Sequence, residues 1–224
     1  MESKTLLYII EIVGTFAFAI SGIRLASTKQ FDWFGAYVVG LTTAIGGGTL
    51  RDLLINVTPF WMTDPMYLIV TGFALLFSIF FGKYIIHMNN TIFIFDAIGL
   101  ALFVVVGVQK SVYQGYPYWV AIIMGTITGI VGGILRDIFI NEEPLVFRKD
   151  IYALTCVFGA MIYCTMDYFE VNPFISTLSC AIVVIGLRIL STKFHWGLPV
   201  LKGDDNMQEE IAKEKEKEKE KHKK

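Results

Sequence analysis

Gly46-Gly47-Gly48-Thr49-Leu50-Arg51-Asp52 returns 85 positions later as Val131-Gly132-Gly133-Ile134-Leu135-Arg136-Asp137, and both copies lie inside long apolar segments. The same offset carries Ile55-Asn56 onto Ile140-Asn141, Pro59 onto Pro144, Gly40 onto Gly125, Gly22 onto Gly107, Gly14 onto Gly99, and Glu11 onto Asp96. A charged motif interrupted by glycine has been placed twice in apolar surroundings, so the chain carries an internal duplication.

The 224 residues are 54% hydrophobic, and only 24 of the first 202 are Asp, Glu, Lys or Arg. Such a chain is too apolar for a water-soluble domain and reads as an all-α integral membrane protein. A helix needs about 20 mostly apolar residues to cross a bilayer. Seven segments qualify: approximately Leu6 to Ser27, Trp33 to Ile55, Met66 to Ile86, Ile92 to Gln109, Tyr118 to Asn141, Ile151 to Asp167, and Pro173 to Ser191. Residues 1–202 thus form one transmembrane domain. Repeat one covers about 6–87 and repeat two about 91–168, with an extra helix at about 173–191. Because each copy has an odd number of spans, the second enters from the opposite side, and the repeats are inverted. Residues 203–224, with Lys and Glu alternating from Lys213 to Lys224, have nothing apolar to bury and read as a solvated, disordered tail.

Basic residues are retained on the cytoplasmic side. One face collects Arg24, Lys29, Lys83, Arg148, Lys149, Arg188, Lys193 and Lys202, while the other has Lys4 and Lys110. This places the amino terminus outside and the carboxyl terminus in the cytoplasm, with Trp33, Trp61, Tyr116, Tyr118, Trp119 and Trp196 as interfacial anchors. A formal net charge of −1 gives no sign of a nucleic-acid partner. Cys156, Cys164 and Cys180 fall within spans and read as small apolar residues, not as a disulfide or metal site. With no nucleophile and base, metal cluster or phosphate-binding loop in view, an enzyme is a remote reading.

The middle span of each copy carries the functional expectation. Gly46, Gly47, Gly48, Gly132 and Gly133 weaken the helix, so a kink or an unwound turn is expected at each. Freed carbonyls there would line a wet interior and could serve a desolvated cation. The alternative is that small residues let two helices approach closely. Arg51 and Arg136 sit a turn or so inside their spans, where an unpaired charge is costly. Adjacent residues point in different directions on a helix, so Asp52 and Asp137 look like poor partners for them. Topology suggests Glu11 for Arg51 and Asp96 for Arg136, as pathway-flanking or gating charges. Thr42, Thr43 and Thr128 could line a cavity, but bonding to their own helix carbonyls is the simpler reading. Asn56 and Asn141, each followed by a proline three residues later, read as helix stops.

With these motifs in two inverted three-span repeats, the chain resembles the trimeric intracellular cation channel superfamily, most closely its prokaryotic branch, also labelled a glycine transporter family. The resemblance covers about Leu6 to Leu190. It implies a homotrimer in the prokaryotic inner membrane, one pore per protomer, and kinks at Gly46, Gly47, Gly48, Gly132 and Gly133. Potassium or sodium would be the permeant ion, with no bound cofactor. Val131 departs from the pattern, standing where the first copy has Gly46. A carrier for glycine or another small zwitterion, its carboxylate held by exposed helix termini, is the second functional class.

Overall fold

The computed structural model describes residues 2–87, 91–148 and 151–199, and their elements are helical. In order they are α1 (Glu2–Thr28), α2 (Trp33–Leu54), the short α3 (Phe60–Thr63), α4 (Met66–His87), α5 (Thr91–Tyr113), α6 (Tyr118–Phe139), a 3-10 turn (Leu145–Phe147), α7 (Ala153–Tyr168) and α8 (Pro173–Phe194). The expected tail at 203–224 lies outside the described residues. By length and composition α1, α5, α6 and α8 are apolar enough to cross a membrane. Threonines, glycines and the Arg-Asp pair dilute α2 below that standard, and α4 and α7 contribute shorter apolar runs, Met66–Gly82 and Ala153–Tyr168. The long helices start and stop close to the expected bounds; α3 and the 3-10 turn, which follow Pro59 and Pro144, were not foreseen.

Both stops after the Arg-Asp motif use asparagine. Asn56 and Asn141 adopt the left-handed conformation, with φ of 55° and 56°. The next amide, Val57 or Glu142, donates back to the carbonyl of Asp52 or Asp137 at 2.9 and 2.8 Å. This satisfies carbonyls that the helix end would leave orphaned.

α1 and α5 form the centre, bracketed by α2 and α6. Ala19, Ile20, Val104, Val105 and Val106 are wholly enclosed. Phe18 stacks on Phe103, its own counterpart at the 85-residue offset, with ring centroids 5.3 Å apart. Phe18 also covers Gly99, and Phe103 covers Gly14. Lower-numbered residues of α1 therefore meet higher-numbered residues of α5, and the two helices run antiparallel. The outward faces are apolar: Phe73, Phe80, Phe174 and Ile182 are exposed, as side chains bathed in lipid would be.

α2 and α6 cross antiparallel at their glycines. A Cβ on Gly47 would collide with the Thr128 carbonyl, and one on Gly132 with the Thr43 carbonyl. These two contacts are again copies of each other. The helices are continuous through Gly46–Gly48 and through Gly132–Gly133, so of the two forms expected from the sequence, a kink or an unwound turn, the unwound turn does not form. Close approach is the role these glycines fill here, as small residues do where helices have no hydrophobic drive to associate in lipid. Gly47→Ala or Gly132→Ala should destabilise the protein by about 1–3 kcal/mol through overpacking against backbone. Gly82→Ala, where a Cβ meets nothing within 4 Å, should leave the melting temperature in detergent unchanged or higher.

Candidate functional site: two vestibules and their charge clusters

Each Arg-Asp motif is a local knot. Arg51 Nε donates to Asp52 Oδ1 at 2.8 Å, and Asp52 Oδ2 accepts the Phe60 amide at 2.9 Å. The second copy repeats this, with Arg136 Nε to Asp137 Oδ1 at 2.8 Å and the Leu145 amide to Asp137 Oδ2 at 3.1 Å. The expectation that neighbouring Arg and Asp are poor partners is therefore corrected. The Cβ directions do diverge, but the arginine stem is long enough to bring its Nε round to the shorter aspartate. All four side chains are buried. The arginines also lie in the last turn of their helices, where the negative end of the dipole favours a cation.

Beyond the knots the two copies differ. Arg136 Nη1 donates to Asp96 Oδ1 at 2.6 Å and to Ser21 Oγ at 2.7 Å, and this contact with Asp96 is the one expected. Glu11 and Arg51 do not pair. Glu11 instead accepts from Tyr67 Oη at 2.9 Å and holds Lys110 Nζ at 2.5 Å. Lys110 also lies over the Phe60 ring, at 5.2 Å, with the Arg51 guanidinium 5.8 Å from the same ring. At the other end Arg188, from α8, approaches Asp96 Oδ2 at 3.8 Å and stacks over Tyr152 and Phe93 at 4.6 and 5.1 Å. Tyr67, Lys110, Tyr152 and Arg188 were not singled out as site residues from the sequence. A signal existed for the tyrosines, which stand 85 positions apart like the motifs they serve.

The threonines satisfy themselves. Thr42 donates to the Val38 carbonyl, Thr43 to Val39 and Thr128 to Met124, at 2.8, 2.6 and 2.6 Å. The other glycines of the motifs are covered by Leu135 at Gly46, by Phe60 at Gly48 and by the Tyr152 hydroxyl at Gly133.

Two cavities open at the C-terminal ends of α2 and α6, against the ends of α1 and α5. One of about 660 Å³ is lined by Leu7, Asp52, Ile55, Phe60, Tyr113 and Gln114, with Lys110 in its wall. The other, of about 210 Å³, is lined by Ile92, Asp137, Ile140, Leu145, Thr28 and Lys29. Position for position, these are the same residues shifted by 85, forward for the first four and backward for the last two. Each vestibule therefore combines the start of one central helix with the end of the other, and each ends at the aspartate of an Arg-Asp motif. The glycine-to-carbonyl contacts of α2 and α6 lie further along the same helices, at Gly47 and Gly132.

The smaller vestibule is strapped by ion pairs: Lys29 Nζ to Glu142 Oε1 at 2.6 Å and Arg148 Nη2 to Glu142 Oε2 at 3.7 Å. The Lys29 hydrogen bond holds the Glu142 carboxyl below its ordinary range. A depressed carboxylate pKa means that the strap is intact above the ordinary glutamate range and is lost as pH falls through the depressed value. Lys29→Ala should raise the Glu142 pKa, as read by carboxyl NMR titration. Arg136→Ala, which strips a partner from Asp96, Asp137 and Ser21 together, should lower stability by about 3 kcal/mol or more. Arg51→Ala should cost less, because among the described residues Arg51 pairs with Asp52 alone; thermal unfolding in detergent gives the comparison.

The family model described as Glycine transporter matches the chain twice, at residues 8–83 and 93–168, again an offset of 85. The UPF0126 inner membrane protein YadS of Escherichia coli K12 is 36% identical over 204 residues, covering 90% of this chain and 99% of that protein. A UPF0126 membrane protein of Vibrio cholerae is 37% identical over 197 residues, covering 87% and 82%. Among solved structures, the trimeric intracellular cation channel orthologue from Rhodobacter sphaeroides aligns with a TM-score of 0.81 at 30% identity, covering 85% of this chain and 99% of that one. A prokaryotic channel of the same class, solved in 0.5 M KCl, aligns at 0.79 with 29% identity, covering 87% and 100%. The channel from C. elegans, at 12% identity and a TM-score of 0.57, shares the fold. The chain is an integral membrane protein of the Glycine transporter (UPF0126) family, within the prokaryotic branch of the trimeric intracellular cation channel superfamily.

Proposed function

We propose that the protein is a homotrimeric channel for monovalent cations, potassium among them, with one pathway per protomer along the α2–α6 seam. The observation that carries this reading is the pair of equivalent vestibules, one at the C-terminal end of α2 and one at that of the antiparallel α6, each lined by the buried aspartate of an Arg-Asp motif. An inverted duplication supplies such a pair, because each half brings the same motif to the opposite membrane face. The seven long helices are then seven spans, three in each repeat plus α8, in a domain of residues 1–202 followed by a cytoplasmic tail at 203–224. The distribution of basic residues sets the amino terminus outside, so the Asp52 vestibule opens outward and the Asp137 vestibule toward the cytoplasm. Conduction requires α2 and α6 to part at Gly47 and Gly132, which the absence of side chains at the crossing makes sterically simple.

The related structures, described as cation channels, support the ionic reading. A carrier for glycine or another small zwitterion is the second reading. It is favoured by the family's description and by the presence of both Lys110 and Asp52 in the wall of the larger vestibule. Planar-bilayer recording on the purified protein separates the two. Single-channel currents whose reversal potential follows the potassium gradient are expected, with altered unit conductance in Arg51→Ala. Saturable glycine uptake into liposomes without such currents would replace the channel with the carrier.

A further inference from the structure

The vestibules are equivalent in position but their carboxylates are set differently. At one end Asp96 grips Arg136 at 2.6 Å. At the other Glu11 is turned from Arg51 and held by Tyr67 and Lys110. Three sequence differences account for this. The counterpart of Lys110 is Leu25, so only Glu11 is offered a cation by the opposing central helix. The counterpart of Ser21 is Val106, so only Arg136 finds a hydroxyl acceptor on that helix. Glu11 is one methylene longer than Asp96, which carries its carboxylate to Tyr67; the equivalent Tyr152 hydroxyl is buried with no hydrogen-bond partner among the described residues. Arg51 is likewise fully buried, and its Nη1, the atom equivalent to the one that grips Asp96, has no hydrogen-bond partner among the described residues.

We propose that Glu11 and Asp96 are two-position latches, each able to close on its own motif arginine, and that this sequence sets them oppositely. The Asp96 latch is closed on Arg136. The Glu11 latch is held open by Tyr67 and Lys110, with the bare Nη1 of Arg51 as the position it would take when shut. The Asp52 end then stands open at rest while the Asp137 end is held, matching cavities of about 660 and 210 Å³, and the two ends are opened by separate events. Tyr67 is thus a positioning residue acting on Arg51 through Glu11. The proposal rests on the vestibules being two ends of one path, but not on which solute moves along it.

The test uses single-cysteine reporters in the full chain in detergent: Val57→Cys in the Asp52 vestibule and Thr28→Cys in the Asp137 vestibule. Each is read by its rate of reaction with a charged, water-soluble thiol reagent against the chain's buried native cysteines. Tyr67→Phe removes a hydrogen bond to a charged carboxylate, and the rate at Val57→Cys should fall about tenfold as Glu11 closes on Arg51. Lys110→Leu, which installs the residue found at the equivalent position, should act in the same direction. Tyr152→Phe should leave the rate at Thr28→Cys within about twofold of its starting value, since no hydrogen bond is lost. A fall in either Tyr67→Phe or Lys110→Leu, with Tyr152→Phe silent, supports the latches. An unchanged rate in both, or a loss in Tyr152→Phe equal to theirs, overturns them. Because no flux is measured, a missing potassium current bears on the channel reading alone.

Discussion

Everything in this protein is arranged around a place where two backbones touch. Gly47 lies on the carbonyl of Thr128 and Gly132 on that of Thr43, with no room for one further carbon at either contact. In lipid, apolar side chains gain little by leaving one apolar neighbour for another, so intimate van der Waals contact is what holds helices together. The crossing fixes how α2 and α6 lie against α1 and α5. It thereby sends the two Arg-Asp motifs to opposite ends of the molecule.

Each end then solves the same electrostatic problem. Arg51, Asp52, Glu11 and Lys110 make one group of two cations and two carboxylates; Arg136, Asp137, Asp96 and Arg188 make the other. Both groups balance to zero formal charge, which is the condition under which so many ionised side chains can be withdrawn from water. The fourth member arrives by different routes. α5 supplies Lys110 to the first group, whereas the second draws Arg188 from α8, a helix outside the duplication. The eighth helix thereby completes a charge balance that the second half cannot close from its own residues.

The helices and their duplicated order were legible in the sequence because they depend on long-range regularities, namely apolar length and a constant offset. The Asn56 and Asn141 stops and the self-bonded threonines were legible too, since each depends on residues within a turn or two. The partner of Glu11 was not, because it is decided by Tyr67 on α4 and Lys110 on α5, which no spacing rule connects to α1. Lys110 registered only as one of two basic residues on the sparsely charged face. The Arg-Asp pairing was obscured by reasoning from Cβ directions, which ignores the reach of a guanidinium. The glycines announced their importance without revealing their service, because the same composition suits a broken helix and a tightly packed one.

The stacked rings of Phe18 and Phe103 carry a consequence of their own. They are one and the same position in two copies of a unit, and they meet each other. A half-length ancestor bearing this phenylalanine would have met its twin there, aromatic face against aromatic face, as a self-complementary pair of separate chains. Fusion into a single polypeptide removed the requirement that the partners be identical. It left each copy free to acquire its own serine, lysine or extra methylene while the old shared surface stayed intact at the heart of the molecule.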